Sequence, residues 1–157
     1  MLYDLLLQKA HLMLIEVIER PLIGKLKGMY ADGVICIDSR LETKTEKACK
    51  LAEEIGHHET STGDILIQES INNRKQEKKA RDWGYEELVP LSAFLLGHEA
   101  GVRNTYEFAE LLGVTDKFLI DAIDHYWERY GSYTTYKPAD DEYIIYFDPI
   151  AVIKVFK

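Results

Sequence analysis

The stretch Leu51-Ala52-Glu53-Glu54-Ile55-Gly56-His57-His58 constrains this chain more than any other. Wound as a helix at about 100° per residue, it sorts into two arcs. Ala48, Leu51, Ala52 and Ile55 share one arc, which is wholly apolar. Lys50, Glu53, Glu54, His57 and His58 gather on the other. The apolar arc has to be buried, and the polar arc has to face water, a cleft or a metal. Thr43-x-x-Glu46 has capping-box spacing ahead of it. These signals predict a helix over about 44–59 that ends by Ser61–Gly63.

Spacing within the helix points to chemistry. Glu53 and His57 stand at i and i+4, one above the other, which is how a helix offers two donors to one metal. Glu54 lies one residue off that line, placed to take a proton from a water beside the ion. Gly56 costs about 1 kcal/mol in a helix relative to Ala, so its presence predicts a close approach to the backbone there. An ordinary solvated acidic face has the same composition, and the pattern alone does not separate the two. His58 also suits a helix C-terminus, where imidazole complements the dipole. With Glu54 it forms a second i,i+4 pair, which would use up the base.

A third donor has to come from another element. A helix over about Glu69–Leu88 sets Glu77 among Ala80, Gly84 and Leu88, as for a carboxylate reaching inward. Equally, Glu77 sits in the basic run "NRKQEKKAR" and has cations of its own helix to pair with. Asp64, in "TSTGDI", reads as a turn residue, as an acceptor for a ligating imidazole, or as a fourth ligand. Tyr85, His98 and Arg103 are candidate substrate or oxyanion contacts, or ordinary core and surface residues.

The remaining elements follow from shorter signals. Leu5–Leu7 predicts a first helix, and Leu12–Ile18 either continues it or forms an edge strand. Asp32-Gly33, followed by Val34–Asp38, predicts a hairpin over about 26–38. Further helices fit Ser92–Glu99, Thr105–Leu112 and Thr115–Tyr130, and a last strand fits Tyr143–Phe147. The apolar tail "AVIKVF" has to pack somewhere or cover a partner. With 157 residues, this predicts an α+β protein, mostly helical with a small antiparallel sheet, in two parts at 1–90 and 91–157.

Charge and composition exclude other classes. The net charge of -8 argues against nucleic-acid binding. Residues Thr105–Tyr130 have a helix–turn–helix look, but 104–130 carries six acids and two bases, which favours a packing or protein-docking pair. The one basic cluster is Arg74, Lys75, Lys78, Lys79 and Arg81, a solvated face or a dock for an acidic segment. No apolar run approaches a membrane span, and the N-terminus does not read as a signal peptide. Two cysteines make no disulfide framework, so the expected location is the cytoplasm.

Several segments together resemble the ImmA/IrrE family of metallopeptidases, especially its phage and mobile-element branch. They are "LKGMYADGVICID", "TEKACKLAEEIGHHETSTGDI", "NRKQEKKARDWGYEELVP", "YEFAELLGVTDKFL" and "YIIYFDP". The family pattern is His-Glu-x-x-His followed by a distant Glu-x-x-Ala-x-x-aromatic. Here it reads Glu53-Glu54-Ile55-Gly56-His57 and Glu77-x-x-Ala80-x-x-Trp83. The resemblance implies a zincin-like fold, with His57 and Glu77 as metal ligands and Glu54 as general base. Glu53 stands where the family has its first ligand histidine, and a carboxylate there still binds Zn²⁺. One His and two Glu make a harder, more negative site, a weaker Lewis acid that leans further toward Mn²⁺. The resemblance also implies a protein partner, a helix–turn–helix repressor that is either cleaved or, in a non-catalytic anti-repressor, bound and sequestered.

Overall fold

The computed structural model describes residues 1–61 and 70–156, and among these it holds twelve elements. In chain order they are α1 (Leu2–Leu12), β1 (Glu16–Arg20), β2 (Gly28–Ala31), β3 (Val34–Asp38), α2 (Lys44–Thr60) and α3 (Ser70–Leu88), then α4 (Leu91–Ala100), α5 (Thr105–Leu112), α6 (Asp116–Tyr130), β4 (Tyr133–Tyr136), β5 (Glu142–Phe147) and β6 (Ile150–Val155). The class is α+β, mostly helical, consistent with a zincin-like fold. The chain divides into two compact units, Met1–Glu87 and Leu88–Lys157. No helix among the described residues is long and apolar enough to cross a membrane.

The first unit packs α1 and α2 against a three-stranded sheet of order β1-β3-β2. The Asp32-Gly33 turn joins β2 and β3 as an antiparallel hairpin, with Met29 opposite Cys36. Leu12–Ile18 breaks after α1 and supplies an edge strand, but β1 runs parallel to β3, with Ile18 beside Cys36. The sheet is therefore mixed and not purely antiparallel. Short apolar runs carry no information about strand direction, which the tertiary partner sets. Glu19 on β1 ties the layers together: it accepts from Tyr3 Oη of α1 at 2.5 Å and from Lys47 Nζ of α2 at 2.9 Å.

The apolar arc of α2 is buried as its periodicity requires. Ala48, Leu51, Ala52 and Ile55 have no exposed surface, nor do Ile35 and Ile37 of β3. Thr43 caps α2, its Oγ1 accepting from Glu46 N at 3.1 Å. Ser61 is the C-cap, so α2 ends where the sequence predicts.

In the second unit, Phe94 makes edge-on ring contacts with Phe108, Tyr126 and Phe147. Asn104 and Thr115 cap α5 and α6. The apolar tail becomes β6, the edge of an antiparallel sheet ordered β4-β5-β6. β4 lies in "YTTY", which the sequence leaves as loop, so the fold has two small sheets where one is predicted.

Candidate metal centre

Two helices build the site. Glu53, Glu54 and His57 come from the polar arc of α2, and Glu77 from α3. Their meeting depends on small residues. A Cβ on Gly56 would lie 2.2 Å from Ala80 O and 3.0 Å from its carbonyl carbon, so the two backbones touch there. One turn along, a Cβ on Gly84 would lie 3.5 Å from the backbone of Ala52. Ala52 and Gly56 on α2 thus face Gly84 and Ala80 on α3, four residues apart on each helix. The close approach predicted at Gly56 is the backbone of the helix that carries Glu77, one turn before Ala80.

This seam brings the donors together. His57 Nε2 lies 3.3 Å from Glu77 Oε2. One ligand atom from each of Glu53, His57 and Glu77 lies within 4.8 Å of the others. An imidazole nitrogen and two carboxylate oxygens are ordinary zinc donors, and three protein ligands leave one coordination position free. The donor set fits a divalent cation. Glu77 does not reach fully inward as its helix surroundings suggest; its side chain stays half exposed at the rim.

Glu54 lies deeper. It is 4 % exposed. Burial pushes its carboxyl up to about 7, the charges of Glu53 and Glu77 push the same way, and Lys50 opposes them. Gly28 on β2 makes room for it, since a Cβ there would lie 2.8 Å from Glu54 Oε1. Lys50 Nζ lies 3.2 Å from Glu53 Oε2 and 3.9 Å from Glu54 Oε1. All these side chains line one cavity of about 350 Å³, with Leu26, Met29 and Tyr30 on another wall.

His58 turns elsewhere. Its Nδ1 is 2.8 Å from Tyr30 Oη, with the rings edge to face. The cluster that forms is Glu53–His57–Glu77, and the Glu54–His58 pair is not part of it. Asp64 lies outside the described residues. Tyr85 is on α3 but is not among the residues lining the cavity. Arg103 is held by Glu107 at 2.8 Å, and His98 is exposed on α4. Sequence reasoning assigned no role to Gly28, Tyr30 or Lys50. Only Lys50 left a signal, three and four residues ahead of Glu53 and Glu54 on the polar arc.

A family model described as the IrrE N-terminal-like domain, of the M78 peptidases, matches residues 15–123, well over half of the chain. The chain belongs to the IrrE-like M78 peptidase family. No curated protein matches it. Membership and the Glu53–His57–Glu77 cluster together support a metallopeptidase-like function. The Glu53 carboxylate joins the cluster, which resembles an altered zinc-binding motif.

Proposed function

We propose that this chain is a cytoplasmic metallopeptidase acting on a helix–turn–helix repressor of a phage or mobile element. Glu53, His57 and Glu77 would hold Zn²⁺, with Mn²⁺ as the alternative, and Glu54 would be the general base. The observation that carries the reading is the convergence of three donors from two helices within 4.8 Å. Bound there, the ion supplies positive charge that acidifies water and polarises a peptide carbonyl. Glu54, its carboxyl at about 7, is suited to take the proton of the attacking water near neutral pH. It then returns that proton to the departing amine nitrogen as the peptide bond breaks. Leu26 and Met29, both about half exposed on the cavity wall, offer an apolar surface to a peptide side chain.

The test pairs metal content with cleavage. Wild type purified without added metal should carry about one equivalent, and Glu77→Ala should carry none. Cleavage of the repressor from the neighbouring gene should vanish in Glu54→Gln while metal is retained. A wild type without metal that also leaves the repressor intact would remove the reading.

Glu53 favours a second reading, a non-catalytic anti-repressor. An added ligand carboxylate lowers the net positive charge of the ion and weakens its effect on water. Repressor binding without cleavage, unchanged by Glu54→Gln, would select it.

A further inference from the structure

We infer that Lys50 is the built-in counter-ion of the site and sets how tightly a donor set containing Glu53 holds a divalent cation; the inference rests on the metal-site reading above. Lys50 stands one turn ahead of Glu53 and Glu54 and bridges them, at 3.2 Å and 3.9 Å. It is not a free surface lysine. Its side chain is 24 % exposed, and its Cγ fills space beside Gly28, where an added Cβ would lie 2.9 Å away. The ammonium lines the same cavity as the three donors and Glu54.

Charge gives this position its meaning. Three carboxylates, Glu53, Glu54 and Glu77, share the cavity with one ammonium. The Glu53 and Glu77 carboxylates carry negative charge offered to a cation, and the Lys50 ammonium, 3.2 Å from Glu53, offsets part of it. With histidine at position 53, as in the resembled pattern, that added carboxylate would be absent and Lys50 would face Glu54 alone. Lys50 offsets the charge that Glu53 adds. The same ammonium competes with an incoming cation, because it already holds the Glu53 carboxylate that the ion needs. In a half-enclosed cavity two cations a few ångströms apart repel with little screening.

The test uses the full chain as wild type, Lys50→Met, Lys50→Gln and Lys50→Arg. Zn²⁺ is titrated against a chromophoric chelator and Mn²⁺ by calorimetry, and each protein is melted with and without metal. Both neutral variants should bind both ions at least about tenfold tighter than wild type, and Lys50→Arg should stay within about threefold. The neutral variants should melt below wild type in chelator and gain more on metal addition. In a Glu53→His background, Lys50→Met should produce a smaller gain, because the Lys50–Glu53 bond is gone. Unchanged or weaker affinity in Lys50→Met and Lys50→Gln, with melting lowered equally in both conditions, would reduce Lys50 to a structural residue and overturn the inference. So would an equal gain in the Glu53→His background. A wild type that takes up neither ion overturns the metal-site reading itself, whereas tight wild-type binding untouched by these substitutions overturns this inference alone.

Discussion

A methyl group on Gly28 would press on two side chains at once, Glu54 Oε1 at 2.8 Å and Lys50 Cγ at 2.9 Å. Glu54 is buried and has little room to yield. Gly28→Ala should therefore shift the Glu54 carboxylate while leaving Glu53, His57 and Glu77 in place. Hydrolysis should fall at least about tenfold, the loss expected for a misplaced general base, and by more than any change in metal affinity that the pressed Lys50 causes. Parallel metal titration and repressor cleavage check this. A different carboxylate contributes to stability in acid. Arg40 donates from Nε and Nη2, and from its backbone N–H, to Asp38 at the end of β3. These bonds hold the Asp38 carboxyl down at about 2, from an ordinary 3.8. A folded-state value below the unfolded one stabilises the fold fully above pH 3.8, and that stability is lost as pH falls through about 2. Asp38→Asn should lower the Tm at pH 7, and the gap to wild type should close between pH 3.8 and 2. A gap of constant size across that window would show that the clamp contributes nothing through its charge.

Between α2 and α3 the decisive contacts are made by the smallest side chains. Gly56→Ala gains up to about 1 kcal/mol of helix propensity. It also drives a methyl into Ala80 O, a main-chain atom that cannot rotate away. The net effect should be a loss of about 1–3 kcal/mol, as for overpacking, with metal affinity falling because Glu77 moves off His57. Gly84→Ala is the paired control: its methyl would meet Ala52 at 3.5 Å, ordinary contact, so stability should hold or rise by up to about 1 kcal/mol. Thermal melts and metal titration of the two variants side by side test the pair. The i,i+4 spacing of Glu53 and His57 was legible in the sequence because one helix carries both. The approach of α3 was legible only as the unexplained cost of Gly56, since periodicity says nothing about which helix packs on which. Glu77 was legible as a candidate third donor from the small residues around it on its helix, and the resemblance chose that reading over pairing with the basic residues beside it. β4 escaped because "YTTY" lies between Gly131 and Pro138 and alternates only weakly between exposed and half-buried positions. The parallel pairing of β1 escaped because strand direction is decided by the element already in place.

Each of the two units has its own core, aliphatic around Ile35, Leu51 and Ile55 in the first and aromatic around Phe94 in the second. The two tryptophans divide between them: Trp83 belongs to Met1–Glu87 and Trp127 to Leu88–Lys157. All the proposed donors lie in the first unit. In a Trp127→Phe background, fluorescence from Trp83 should report an unfolding transition that Zn²⁺ raises, by about 2.7 kcal/mol at a hundredfold excess over Kd. Glu77→Ala should abolish the rise. An equal rise in Glu77→Ala would mean that the ion binds elsewhere.

The seam of Ala52, Gly56, Ala80 and Gly84 also bears on which ions the centre can admit. Helices that meet through main-chain atoms have no slack side chains between them, and spreading them for a larger guest would break that contact. A calcium ion asks for six to eight oxygens at about 2.3–2.6 Å, more than the one imidazole and two carboxylates that converge here offer without added ligands. A preference for a small ion over calcium would in that sense be set by four residues that supply no donor atom.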